Sequence, residues 1–283
     1  MLDSHHHFWQ LANGWYRWLT PQLAAIHRDF MPTDLAPLLR AHGVTGTLLV
    51  QAADCAEETV FMQRVEAEFV RGIVGWVDFD AADATARVQE LAVGQKIAGV
   101  RPMIQDITDP GWMLRPALAP VFRAVAEAQL VFDALVKPPH LDNLHQLLER
   151  HPDLRVVVDH GGKPCIRAGV DGAGGLREWA PKMRRLAGHP QAACKFSGLL
   201  TEAKPGASAA DLQPYADVLL ETFGGGRLLW GSDWPVVCLA GGYGHWVKVS
   251  RQLLSALPTA EQRGIWKENA ERQYNLPRFQ PPA

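Results

Sequence analysis

Cysteine is scarce and scattered. The four in 283 residues, Cys55, Cys165, Cys194 and Cys238, form no C-x-x-C pair, so neither a disulfide framework nor a cysteine zinc site is indicated. No apolar run approaches the ~18 residues needed to span a bilayer. The start, Met1-Leu2-Asp3-Ser4-His5, lacks the basic-then-apolar pattern of a signal peptide. An excess of one charge is missing too: 28 basic against 30 acidic side chains leave a net charge of -2, without the basic surplus of a nucleic-acid binder. There is no G-x-G-x-x-G fingerprint, internal repeat or low-complexity tract. These absences point to a cytoplasmic globular protein with no nucleic-acid or membrane partner. They leave the oligomeric state open.

What is present is an alternation. Eight short apolar or β-branched runs, at residues 2–5, 47–51, 72–77, 97–101, 130–136, 154–159, 193–197 and 227–232, contain no proline. Near-continuous apolar strands of this kind suit a parallel sheet buried on both faces. Helical periods fall between them at 33–42, 57–69, 116–128, 141–150, 211–223, 245–257 and 259–274. Thr33 is the expected N-cap of the first, and Gly224-Gly225-Gly226 stops the fifth. Eight strands alternating with helices predict an α/β fold, a closed (β/α)8 TIM barrel, as one domain over residues 1–283. An open doubly wound sheet is the runner-up. Long loops around 13–32 and 204–214 would cover the barrel mouth.

Catalytic groups of such barrels come from the C-terminal ends of strands. Here those ends carry His5 and His7, Gln51, Trp76, Arg101, Lys137, His160, Lys195 and Asp233. On an extended strand His5 and His7 point to one side and His6 to the other, which suits one divalent metal or a pair of substrate contacts; the bland alternative is a surface run. His160, followed by Gly161-Gly162-Lys163, ends a strand in a tight turn, although a core histidine in a β-turn reads almost as well. Asp233, between Trp230 and Trp234, is a candidate general base, against a plain turn cap. Arg101 offers a permanent charge for a substrate oxygen, against a structural ion pair. Gln51, Lys163, His7, Trp76 and Trp234 are the candidate substrate contacts, with core packing as the default for the tryptophans. Whether Asp133, Lys137, Lys195 and Ser197 face the axis is undecided at this level.

With Asp3-Ser4-His5-His6-His7-Phe8-Trp9, Asp159-His160-Gly161-Gly162-Lys163-Pro164, Cys194-Lys195-Phe196-Ser197-Gly198-Leu199 and Gly231-Ser232-Asp233-Trp234-Pro235 in this order, the chain resembles the amidohydrolase superfamily. Within it, the chain resembles the branch of sugar lactonases of the L-fuconolactonase type. The resemblance implies a (β/α)8 hydrolase in which Asp233 takes a proton from the attacking water. His5 and His7 match the first-strand metal pair and His160 the sixth-strand histidine. Two departures stand out. Arg101 occupies the place of the fourth-strand lysine carbamylated in binuclear members, and the fifth strand has no histidine ligand. The resemblance thus implies one divalent metal such as zinc at His5 and His7, or none required.

The expected reaction is hydrolysis of a small-molecule sugar (aldono-) lactone to its aldonic acid, with Asp233, His160 and Arg101 as the catalytic set. Arg101, Lys137, Lys163 and Lys195 keep a dicarboxylate lactone open as substrate. A metal-dependent decarboxylase of the same superfamily is the alternative reaction.

Overall fold

The computed structural model describes residues 1–276. Eight strands form one sheet in sequence order: β1 (Leu2–His6), β2 (Gly46–Val50), β3 (Val70–Gly75), β4 (Ile97–Val100), β5 (Val131–Ala134), β6 (Val156–Val158), β7 (Ala192–Phe196) and β8 (Leu228–Trp230). Every adjacent pair is parallel. The ends of the sheet meet through Asp233 N to His5 O at 2.8 Å and His7 N to Trp234 O at 2.7 Å. The sheet is therefore a closed (β/α)8 barrel, and closure leaves no free strand edge.

Alternation along the strands sorts side chains between two cores. Leu2, Leu48, Val50, Val74, Val131, Val157, Ala193 and Leu229 fill the inside, and Ala270, Tyr274 and Leu276 plug it from the C-terminal segment. A larger core lies between strands and helices, where Phe132, Phe196 and Trp230 are wholly buried. Farther along the strands, polar side chains replace the aliphatic ones inside. Asp133, Asp159, Lys195 and Ser197 all have no measurable exposure.

Several helices differ from the periodic reading. The first starts at Pro32, and Asp34, rather than Thr33, caps it by accepting from Met31 N at 3.0 Å. The second ends at Arg64, five residues short of Phe69. The loop expected up to Pro214 gives way to a helix from Ala209, nucleated by Asp211 bonding Ser208 N and Oγ. Helices Ala84–Ala92 and Leu176–Ala187 have no counterpart among the expected periods. The second follows the glycines at 172, 174 and 175 and contains Pro181, which mimic a loop. The last helical stretch is broken by a π turn over Gly264–Glu268.

Candidate active site

The site forms because β1 and β8 are locked together beneath it. Asp3, fully buried, accepts from Ser232 N at 2.7 Å, His5 N at 3.2 Å and Tyr243 Oη at 3.2 Å. Burial pushes its carboxyl up to about 6, against the pull of these donors. Above this lock His5 and His7 turn inward. His6 turns outward, with its Nε2 2.8 Å from Thr47 Oγ1.

Three imidazoles converge on one carboxylate oxygen. His7 Nε2 lies 3.4 Å from Asp233 Oδ1, and the Nε2 atoms of His5 and His160 each lie 3.8 Å from it. His160 and Asp233 hold left-handed backbone, at φ 52° and 58°. His160, Gly161, Gly162 and Lys163 are four consecutive left-handed residues. For the two non-glycines this costs ~1–2 kcal/mol each, strain of the sort that collects at functional sites. Gly198 makes the turn possible. A Cβ there would stand 2.7 Å from the His160 ring atoms. Ser197 Oγ then meets His160 Nδ1 at 2.9 Å.

Under the histidines lies a charged chain. Lys195 Nζ bonds Asp133 Oδ2, sits 2.9 Å from Asp159 Oδ1 and lies 3.0 Å from His5 Nδ1. Asp133 also accepts from Tyr274 Oη at 2.6 Å. Arg101 donates to Asp159 Oδ2 at 3.0 Å, to Gln51 Oε1 at 3.1 Å and to the Gln51 carbonyl. Its Nη1 stands 3.3 Å from His5 Nε2.

These surroundings set the charges. Burial, aided by Lys195, holds His5 well below its usual range. Burial also lowers His7, with Asp233 opposing it, and takes His160 down to about 4. For Asp233, burial pushes upward, but the neighbouring His160, His7 and Lys163 outweigh it and bring the carboxyl below its ordinary value. The site thus holds neutral imidazoles around an ionised carboxylate.

The proton on His7 bears on metal. His7 Nδ1 lies 2.7 Å from the Val50 carbonyl, an acceptor, so Nδ1 carries the proton. The Nε2 lone pair therefore faces Asp233 Oδ1, another acceptor. A water donating one proton to each, or a cation between them, satisfies both. The ligand atoms of His5, His7 and Asp233 all lie within 4.8 Å of one another, and a set of two imidazoles and a carboxylate suits zinc. The residues fit one such ion.

The other sequence candidates fall elsewhere. Gln51 is wholly buried, and its amide is spent on Arg101, donating to the Arg101 carbonyl at 2.6 Å. Trp234 is 2% exposed, packed edge-on against Phe8 and Phe30, and offers no face to a sugar ring. Trp9 is buried likewise. Trp76 is half-buried and lines a surface cleft of about 170 Å³ with Asp54, Asp78 and Pro102, apart from the histidines. Lys163 reaches Gln105 Oε1 at 2.7 Å, while Lys137 is exposed and holds the Gln105 carbonyl. Sequence reasoning missed Asp159, Tyr274 and Glu202. Asp159 shares a strand side with Val157 and was legible by that alternation. Nothing local marks the other two.

The amidohydrolase family model matches residues 2–276. The chain belongs to the amidohydrolase family. It is 41% identical to an L-fucono-1,5-lactonase of Burkholderia ambifaria, over 98% of this chain and 96% of that one. It is 35% identical to an L-fucono-1,5-lactonase of Burkholderia multivorans, with the same coverage. The crystal structure of an amidohydrolase from Burkholderia multivorans with bound zinc superposes with a TM-score of 0.91 at 33% identity, covering 98% of this chain and 99% of that one. In the present chain the residue following β4 is Arg101, whose guanidinium is tied to Asp159.

Proposed function

We propose that this amidohydrolase opens sugar (aldono-) lactones to aldonic acids. The observation that carries the reading is the convergence of three imidazole Nε2 atoms on Asp233 Oδ1. Their barrel-mouth setting fits it: Asp233, His7 and His160 keep side-chain exposures of 7%, 5% and 4%, while His5 has none. Water and substrate meet the constellation at these three tips. The two relatives named as L-fucono-1,5-lactonases support the substrate class.

In the reaction, water beside Asp233 and His7 attacks the lactone carbonyl carbon while Asp233 takes its proton. With the Ser197 hydroxyl donating to His160 Nδ1, 2.9 Å away, the His160 Nε2 proton is free to meet the developing oxyanion. Arg101, held by Gln51 and Asp159, adds a fixed positive charge beneath. The carbonyl re-forms, the ring C–O bond breaks, and Asp233 returns the proton to the leaving oxygen. A lactone is an activated ester, so a general base worth ~10²–10⁴ and one oxyanion donor of ~10²–10³ suffice. A divalent ion held by His5, His7 and Asp233 would add Lewis-acid polarisation of the carbonyl.

The placement of the cations argues against a dicarboxylate lactone. Arg101 and Lys195 are engaged below the mouth by Asp159 and Asp133, and Lys137 lies on the surface. Of those four cations only Lys163 is left toward the mouth, and it is electrostatically paired with Glu202 and Asp233. A neutral, hydroxylated substrate suits this balance. The test is acid release on aldonolactones and dicarboxylate lactones, with chelator and with added zinc. Hydrolysis confined to the sugar lactones is expected. No hydrolysis under any condition, with carbon dioxide released from an aromatic acid instead, would replace lactonase by decarboxylase.

A further inference from the structure

Trp9 and Trp234, the tryptophans flanking the sequence motifs, are buried and offer a sugar ring no face. Trp18 is 36% exposed, the most solvent-open of the large aromatic side chains among the described residues. It stands in the loop between β1 and the first helix. Its indole Nε1 donates to the Ala52 carbonyl at 2.7 Å, two residues beyond the end of β2. One edge meets Trp9 at a centroid distance of 5.5 Å, and Trp9 in turn stacks on His7 at 6.3 Å. The neighbouring Arg17 clamps the loop to Asp54 at 2.7 Å. Trp18 is thus anchored at the C-terminal end of β2 and linked to His7 through one buried indole.

The far side of the mouth is polar. Lys163 follows β6, across the barrel from β1 and β2, and Glu202 follows β7. Glu202 is half-buried, and burial raises its carboxyl, with Lys163, Arg167, Asp233 and Lys137 acting on it. An aromatic side chain beside the end of β2 and charged ones after β6 and β7 thus belong to different sectors of the barrel rim. A sugar lactone has the same two sides: a C–H face that stacks on indole and hydroxyls that seek charged partners.

We infer that Trp18 is a specificity-determining residue, the platform on which the sugar ring of the lactone lies while its carbonyl faces Asp233. The inference rests on the lactonase reading. Stacking of this kind acts on ground state and transition state alike, so its loss raises KM and spares kcat.

The experiment compares wild type, Trp18→Ala and Trp18→Phe on a deoxyhexono-δ-lactone, with a melting curve for each. Trp18→Phe keeps a ring and loses the Nε1 bond to Ala52; Trp18→Ala loses both. The expected result is a KM raised about tenfold in Trp18→Ala with kcat within about twofold, equivalent to about 1.4 kcal/mol. Trp18→Phe should stay within about threefold of wild type in KM. Equal KM in Trp18→Ala and wild type overturns the inference. So does a Trp18→Phe variant as impaired as Trp18→Ala, which would assign Trp18 to loop anchoring. In either case wild-type hydrolysis leaves the lactonase reading standing. Failure of wild type to hydrolyse any sugar lactone overturns both.

Discussion

Replacing Lys195 with methionine tests the charged layer on which the site stands. Lys195 is wholly buried and serves Asp133, Asp159 and His5 together. Methionine keeps its volume and removes its charge, leaving two buried carboxylates short of a cation. Removing one partner of a buried pair costs about 3–5 kcal/mol. Two residual partners keep the loss near the lower end: Tyr274 on Asp133 at 2.6 Å and Arg101 on Asp159 at 3.0 Å. Asp133 also has an escape. Burial, opposed by Lys195, has already raised its carboxyl to about 6, and loss of Lys195 raises it further. A carboxyl whose folded value lies above its unfolded one is most favourable to the fold at acid pH and loses that contribution as pH rises through the folded value. The Asp133 share of the Lys195→Met deficit should therefore be small near the unfolded carboxylate value of about 4 and full above neutral, while the Asp159 share, from a carboxyl that Lys195 holds well below its usual range, persists at both. About 3 kcal/mol at neutral pH corresponds to a drop in Tm of about 6 °C for a chain of this length. Adding Asp133→Asn should recover most of it, with a coupling of about 2 kcal/mol in the double-mutant cycle. Melting curves at acid and neutral pH decide the matter. A Tm within about 1 °C of wild type at neutral pH, or a deficit that grows on acidification, would refute the reasoning.

Three further outcomes follow from the same geometry. Asp233→Asn should lower kcat by ~10²–10⁴ with the melting curve kept, since asparagine tolerates the left-handed backbone at that position; retained lactone hydrolysis would remove Asp233 from its role. With Asp233 below its ordinary value and His160 neutral above about 4, kcat/KM should be flat through neutral pH and fall only in acid, as Asp233 gains a proton and His160 a charge; an acid limb centred near the ordinary histidine value of ~6.5 would contradict this. Gly198→Ala places a Cβ against His160 and strains a backbone at φ 66°. It should lower stability by about 1–3 kcal/mol and depress kcat more than KM, read by melting and steady-state kinetics on a sugar lactone.

Much of this protein is written in local pattern. Apolar runs such as Val156-Val157-Val158, each followed by a helical period, specify parallel strands buried on both faces, and eight of them specify a barrel. Alternation along the strand put His5 and His7 on one side, and strand ends put Arg101, His160 and Asp233 at the mouth. The barrel closure decided what each of these meets. Only the β1–β8 seam brings Asp233 onto His7, from opposite ends of the chain. Only the side-by-side pairing of β5, β6 and β7 brings Lys195 to Asp133 and Asp159, which turned an undecided lysine into a buried counter-ion. Tyr274 arrives from the end of a terminal helix that plugs the barrel floor, and no local signal marks it. Tryptophans follow the same division: Trp9 and Trp234 flank the motifs yet fill the core, while Trp18, in an unpatterned loop, is solvent-exposed. Sequence spacing reports which side of a strand a residue takes, because backbone geometry sets that locally. Which groups become partners depends on contacts between distant strands, and those exist only once the sheet has closed.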